Sequence, residues 1–195
     1  MVKKKPKEVI FVTGNKYKFQ VAQKATRGGA IKLIQKKLET PEIQAESVED
    51  IAAFSAMWAA DVLKKPVVVS DAGCHIDALN GFPGPFIKYI DAWLTPRDLL
   101  NTMKGKKNRK VVWKDCLAYC EPGKKPKALT CYFKGTLAQK AGKMIFRKEY
   151  GWMDRLFVPA GYPKTLSELP TEEYLAYWAD QKSNDSWQKL IRYLK

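Results

Sequence analysis

Asp71 follows Ser70 and three consecutive valines, Val67, Val68 and Val69. An apolar run of this kind reads as a buried strand. A carboxylate at the C-terminal edge of such a strand stands where open α/β sheets place their chemistry. Asp71 is therefore a candidate general base or metal ligand, and the plain alternative is a turn aspartate capping backbone amides. Ser70-Asp71-Ala72-Gly73 reads as an acidic turn, followed by the irregular loop Asn80-Gly81-Phe82-Pro83-Gly84-Pro85 and a helix carrying Lys88. Glycines at 81 and 84 permit torsions and close approaches that other residues resist. Nearer the start, Val9-Ile10-Phe11-Val12 predicts a short strand. Thr13-Gly14-Asn15-Lys16-Tyr17-Lys18 then leads into a helix. Strand, glycine turn and a lysine-bearing helix N-terminus form an anion site, through free backbone N–H groups and the helix dipole. The G-x-x-x-x-G-K-[ST] spacing of a Walker A loop is absent.

These residues need a scaffold, and the pattern supplies one. Strands are predicted at 8–13, 31–38, 66–70, 109–121, 127–138 and 154–158. Helices are predicted at 15–26, 47–64, 84–93, 96–103 and 183–194. Ser47 is the expected N-cap of the second helix, and Ile51, Phe54, Ala56, Trp58 and Val62 its apolar face. The turn Glu121-Pro122-Gly123-Lys124 joins the two long strands as a hairpin. Alternating β and α elements with one antiparallel hairpin predict an α/β protein with a mixed twisted sheet flanked by helices.

The 195 residues suffice for one domain with a hydrophobic core, so a single domain over 1–195 with a basic, flexible tail at 1–7 is expected. Apolar residues at 46% argue against disorder. No apolar run approaches the ~20 residues of a membrane helix, and the start lacks a signal peptide's apolar stretch, so a soluble cytoplasmic protein is expected. Cys74, Cys116, Cys120 and Cys131 lack C-x-x-C spacing and His75 is the sole histidine. That argues against zinc and for reduced thiols in the core, with Cys116 and Cys120 on one face of a strand. His75 reads as a packed or edge residue. The net charge of +15 sits in clusters such as Lys104-Lys106-Lys107-Arg109-Lys110 and Lys124-Lys125-Lys127, which read as solvated faces. Weak, non-specific nucleic-acid binding is a possible by-product, and no recognition motif raises it further.

The TGN-x-x-K loop (Thr13 to Lys18), Pro41-Glu42-Ile43-Gln44, the DALNGFPGPFIK stretch, Phe133-Lys134-Gly135, Gly151-Trp152 with Asp154, and Phe157-Val158-Pro159 occur in order along the chain. Together they closely resemble the inosine triphosphate pyrophosphatase (HAM1-type) family, from about Val9 to Leu194. The resemblance implies an elongated two-lobed α/β fold with a central cleft, usually a homodimer, that hydrolyses a nucleoside triphosphate to monophosphate and pyrophosphate with Mg²⁺. Carried over residue by residue, it implies phosphate contacts from Thr13, Gly14, Asn15, Lys16, Lys18 and Lys88. It implies metal ligation by Glu42 and Asp71, and a base pocket around Phe86, Trp152 and Asp154.

This chain departs from the family pattern in several places. Ser70 stands where the family carries the first of two acids, so Mg²⁺ affinity is expected to fall unless Asp77 or Asp154 substitutes or water fills the site. Ser55 stands for a helix lysine, and Met153 is an insertion in the Gly-Trp-Asp motif. Tyr174 and Trp178-Ala179-Asp180 replace the lysine and Ser-His-Arg triplet that read a 6-keto base. The expectation is thus a pyrophosphatase with base choice altered from inosine and xanthosine. The alternatives are a catalytically inactive nucleotide-binding relative or a basic nucleic-acid-binding protein on the same scaffold.

Overall fold

The computed structural model describes residues 6–28, 31–144, 151–180 and 182–195. Of the tail expected over 1–7, residues 1–5 lie outside the described residues, and Lys7 is already the first residue of β1. The strands are β1 (Lys7–Val12), β2 (Ile31–Lys36), β3 (Val67–Ile76), β4 (Pro83–Gly84), β5 (Lys110–Cys120), β6 (Lys127–Leu137) and β7 (Phe157–Pro159). The helices are α1 (Lys16–Thr26), α2 (Val48–Leu63), α3 (Ile87–Trp93), α4 (Pro96–Thr102), α5 (Thr171–Ala179) and α6 (Ser186–Tyr193). The strands order as β2-β1-β3-β5-β6-β7, with β4 added on β3. β1 runs parallel to β2 and β3, whereas β4 and β7 pair antiparallel with β3 and β6. The mixed α/β sheet expected from the sequence is present. Among the described residues no helix is long and apolar enough to cross a membrane.

Two compact units share the chain. One takes residues up to Asp71, Asp115–Cys131 and Leu175–Lys195; the other takes Ala72–Lys114 and Tyr132–Tyr174. In the first unit both faces of the sheet are covered, which is why Val67, Val68 and Val69 are all buried. Val9, Phe11, Val68, Leu117 and Tyr119 pack with Ala22 and Ala25 of α1 and Trp187 and Leu190 of α6. The Phe11 and Trp187 rings meet edge-on at 5.4 Å. On the opposite face Val12, Val67, Val69, Cys116, Ala118 and Cys120 pack under α2. Ser47 caps α2 by accepting from the Asp50 amide at 3.3 Å, as expected. The buried face of α2 is not the bulky one expected, however. Ala52, Ser55, Ala56, Ala59 and Ala60 face the sheet, while Ile51, Phe54 and Trp58 sit at its margins and Val62 is exposed. Alanines let the helix lie close to the valine-rich strands.

The β5–β6 hairpin closes as predicted, with the Lys124 amide donating to the Glu121 carbonyl at 3.0 Å. Glu121 anchors this turn: it accepts from the Tyr119 hydroxyl at 2.7 Å and Lys7 at 3.0 Å, and pairs with Lys124 at 2.8 Å. The bonds from Lys124, Tyr119 and Lys7 hold its carboxyl down at about 2. A depressed carboxyl pKa stabilises the fold above the ordinary carboxylate range, and that stability is lost as pH falls toward the folded value. The partners are partly exposed, so Glu121→Gln is expected to cost only about 1 kcal/mol at neutral pH. In urea titrations the deficit should shrink between about pH 5 and pH 3; a deficit constant across that window would rule this account out.

The second unit corrects the expected acidic turn. β3 does not end at Ser70 but continues to Ile76, because Cys74 and His75 pair with Gly84 and Pro83 of β4. Gly84 sits at φ +58°, and a Cβ on Gly73 would approach the Gly84 backbone to 3.0 Å, so the loop lies tightly against the strand. His75 packs beside these glycines, as a packed residue was expected to do. Trp152–Arg155 forms a short 3₁₀ turn where the strand was expected to begin, and β7 starts only at Phe157. β7 lies so close to β6 that a Cβ on Gly135 would fall 2.3 Å from the Val158 carbonyl oxygen. Gly135→Ala is therefore expected to destabilise by about 1–3 kcal/mol, read as a lowered denaturation midpoint; an unchanged midpoint would mean that β7 yields freely.

Candidate active site

The strand–loop–helix at the start of the first unit is held by its own side chains. The Asn15 amide donates to Thr13 Oγ1 at 3.1 Å. Asn15 Oδ1 then accepts from the Tyr17 and Lys18 amides at 2.9 and 3.1 Å, capping α1. Thr13 is tied to β2 through its amide to the Lys36 carbonyl and its carbonyl to Gln35 Nε2. This corrects the expected anion site in one respect. Three of the amides thought to be free are occupied by the loop's own Thr13 and Asn15, so the burden of anion binding moves to side chains.

Lys16 and Lys18 diverge. Lys16 is exposed and its ammonium lies 5.1 Å from the centre of the Tyr17 ring. Lys18 is partly buried and donates to the Ser70 carbonyl at 3.3 Å, on β3 beside Asp71. The helix cap thus aims one lysine at the strand that carries the candidate acid.

A third residue completes this group and was not anticipated from the sequence. Asp115 on β5 has its Oδ1 closed to solvent and without a hydrogen-bond partner among the described residues. Burial pushes its carboxyl up to about 6; the Lys18 ammonium pulls the other way and the Asp71 charge adds to the rise. Lys18, Asp71 and Asp115 therefore feel one another's charge within the first unit. The signal available in the sequence was a lone acid inside the apolar strand segment Val-Val-Trp-Lys-Asp-Cys-Leu-Ala-Tyr-Cys, since a carboxylate in such a place needs a partner.

The remaining predicted residues are distributed as follows. In the first unit, Glu42 is exposed on the irregular stretch between β2 and α2, and Ser55 is buried in the alanine face of α2. Trp178 lies on α5, its carbonyl accepting from Asn184 Nδ2 at 2.8 Å. Asp180 follows α5, and its carboxylate accepts from the Ser183 amide and hydroxyl. In the second unit, Phe86 and Lys88 are exposed around the start of α3, with the Lys88 ammonium 5.8 Å from the Tyr89 ring centre. Trp152 donates its indole N–H to the Asp91 carbonyl at 2.8 Å. Asp154 and Tyr174 are buried there. Asp154 adds to the burial that raises the Cys74 thiol pKa. The Asp77 carboxylate accepts from Asn108 Nδ2.

Divalent magnesium is the cofactor that the resemblance implies, and the donor chemistry fits it. Mg²⁺ is held through one or two carboxylates, with waters and substrate phosphates completing its shell. Among the described residues no group of three or more His, Cys, Asp or Glu side chains is placed to enclose an ion alone. A partly buried Asp71 beside a lysine matches the sparser arrangement.

Fold and site together define an α/β protein that presents a lysine and two carboxylates beside a strand–loop–helix turn. Comparison with known proteins narrows this further. The chain belongs to the Ham1 family, whose profile matches residues 9–188. It is 36% identical to the dITP/XTP pyrophosphatase of Methanopyrus kandleri, over 85% of this chain and 86% of that relative. It is 39% identical to the dITP/XTP pyrophosphatase of Methanosarcina acetivorans, over 67% of this chain and 71% of the other. The fold is similar to that of a HAM1 protein from Coxiella burnetii, with a TM-score of 0.78 at 22% identity, covering 96% of this chain and 98% of that one.

Proposed function

We propose that this protein hydrolyses a nucleoside triphosphate to its monophosphate and pyrophosphate, with Mg²⁺, and that its base preference departs from inosine and xanthosine. The observation that carries the reading is Lys18, on the helix capped by Asn15, which donates to the Ser70 carbonyl in the middle of β3, next to Asp71. Attack at a phosphoryl group needs little covalent chemistry from a protein; it needs positioning and charge. Thr13 and Lys18, with Lys16 and Lys88, are the cationic and hydroxyl groups proposed to receive the phosphates. Asp71 is proposed to orient the attacking water and accept its proton, or to ligate the cation, with Glu42 as a further ligand. The bound ion would neutralise phosphate charge. The relatives named as dITP/XTP pyrophosphatases support this assignment of reaction class.

The altered base choice rests on side-chain chemistry. Asp180 offers acceptors rather than donors toward an exocyclic group, and Trp178 an aromatic face. In the second unit, Phe86, Trp152, Asp154 and Tyr174 are the further residues that the family resemblance assigns to base recognition. A cytoplasmic homodimer belongs to the same proposal, and sedimentation would test the dimer. The decisive experiment is pyrophosphate release with Mg²⁺ across ordinary and deaminated ribo- and deoxynucleoside triphosphates. Turnover with a preference outside inosine and xanthosine is expected. Inosine preference would overturn the altered specificity, and silence from a folded, nucleotide-binding sample would favour the inactive reading that neutral Ser70 and Ser55 motivate.

A further inference from the structure

We infer that Asp115 is a further carboxylate ligand of the divalent cation, acting beside Asp71 in the site proposed above, and the inference rests on that reading. Ser70, next to Asp71 on β3, is neutral and gives its carbonyl to Lys18. The charge it lacks is found on β5. Asp115 stands on β5, the strand next to β3 in the sheet, within electrostatic reach of Lys18 and Asp71, and its Oδ1 is closed to solvent with no hydrogen-bond partner among the described residues. A carboxylate oxygen withdrawn from water without a partner is costly to keep, and a metal ion is one of the few groups that repays it.

Two other acids are already engaged, and a third lies in the other unit. Glu49 accepts from the Ser47 and Thr130 hydroxyls at 3.0 Å each. Asp77, one of the two substitutes expected from the sequence, accepts from Asn108. Asp154, the other, is buried in the second unit with Cys74. Asp71 and Asp115 together carry two negative charges against the two positive charges of the ion. That leaves the Lys18 ammonium for a phosphate oxygen, and waters and phosphates for the remaining octahedral positions.

The test is a titration of the full chain with Mn²⁺ alone, followed by the electron paramagnetic resonance signal of the free ion. One ion per chain is expected. Loss of an outer-shell partner already costs about 10–100-fold in metal affinity, so Asp115→Asn should cost at least as much. Asp115→Glu should keep part of it, and Glu121→Gln should bind as the parent does. An Asp115→Asn variant that binds Mn²⁺ as tightly as the parent, or a parent chain that binds none at millimolar Mn²⁺, overturns the inference. Were the variant to misfold, the parent decides: Mn²⁺ should broaden the amide resonances around both Asp71 and Asp115. Broadening at Asp71 without Asp115 again overturns it. Failure of the function itself reads differently, as no pyrophosphate release from any nucleotide by a chain that still binds Mn²⁺ through Asp115.

Discussion

Asp71→Asn is expected to lower pyrophosphate release by on the order of 10³-fold while the protein stays folded. The substitution keeps size and shape and removes one charge. It therefore takes away the proposed base or ligand without opening a cavity. It also removes one of two like charges, because Asp71 raises the carboxyl pKa of Asp115. Stability should accordingly hold or rise slightly, and a thermal melt run beside the assay separates lost chemistry from lost fold. Nucleotide affinity should change far less than turnover, because the phosphate contacts are proposed to come from lysines. Near-parental turnover by Asp71→Asn would remove this residue from the reaction.

Lys18→Met should be nearly as damaging, by a different route. Removing one preorganised charge that stabilises a phosphoryl transition state costs about 10²–10³ in rate. Here the same ammonium also sits on the Ser70 carbonyl beside Asp71 and lowers the carboxyl pKa of Asp115 by its charge. Without it, the two carboxylates confront each other with less compensation, so this variant, unlike Asp71→Asn, should also melt lower. Nucleotide binding should weaken along with turnover. Lys18→Arg is not expected to restore activity, since a planar guanidinium cannot reproduce a compact ammonium in a partly buried position. Full activity in Lys18→Met would show that the phosphates lie elsewhere, whatever the Asn15 cap suggests.

Much of this was legible because it is local. The Val67–Val69 run, the Ser47 cap and the Glu121–Lys124 turn are each written in a handful of neighbouring residues, and each stands where the pattern placed it. What escaped was set at long range. β3 runs past Asp71 because residues 83 and 84 come back to pair with it, and no window around Asp71 contains that information. Asp71 is consequently a mid-strand acid, held more rigidly than a turn residue would be.

Asp115 escaped for the same reason: its meaning comes from α1 and β3, which are distant in sequence. Helix α5 is a different case, because its signals were present. Pro170 precedes Thr171, acids fill the first turn, and Tyr174, Leu175, Tyr177 and Trp178 recur at helical spacing. Correspondence to a family motif over 171–182 masks this periodicity.

The four cysteines give the protein a built-in clock. All are free and buried. Burial raises the Cys74 and Cys131 thiol pKa values strongly and that of Cys116 to about 11, and it raises Cys120 as well. Alkylating reagents attack the thiolate, so the native chain resists them twice, by access and by ionisation. Every modification event then records an opening. Cys74 reports on the second unit and the other three on the first. Mass spectrometry after timed alkylation would thus rank the two units by their opening free energies without introducing a label.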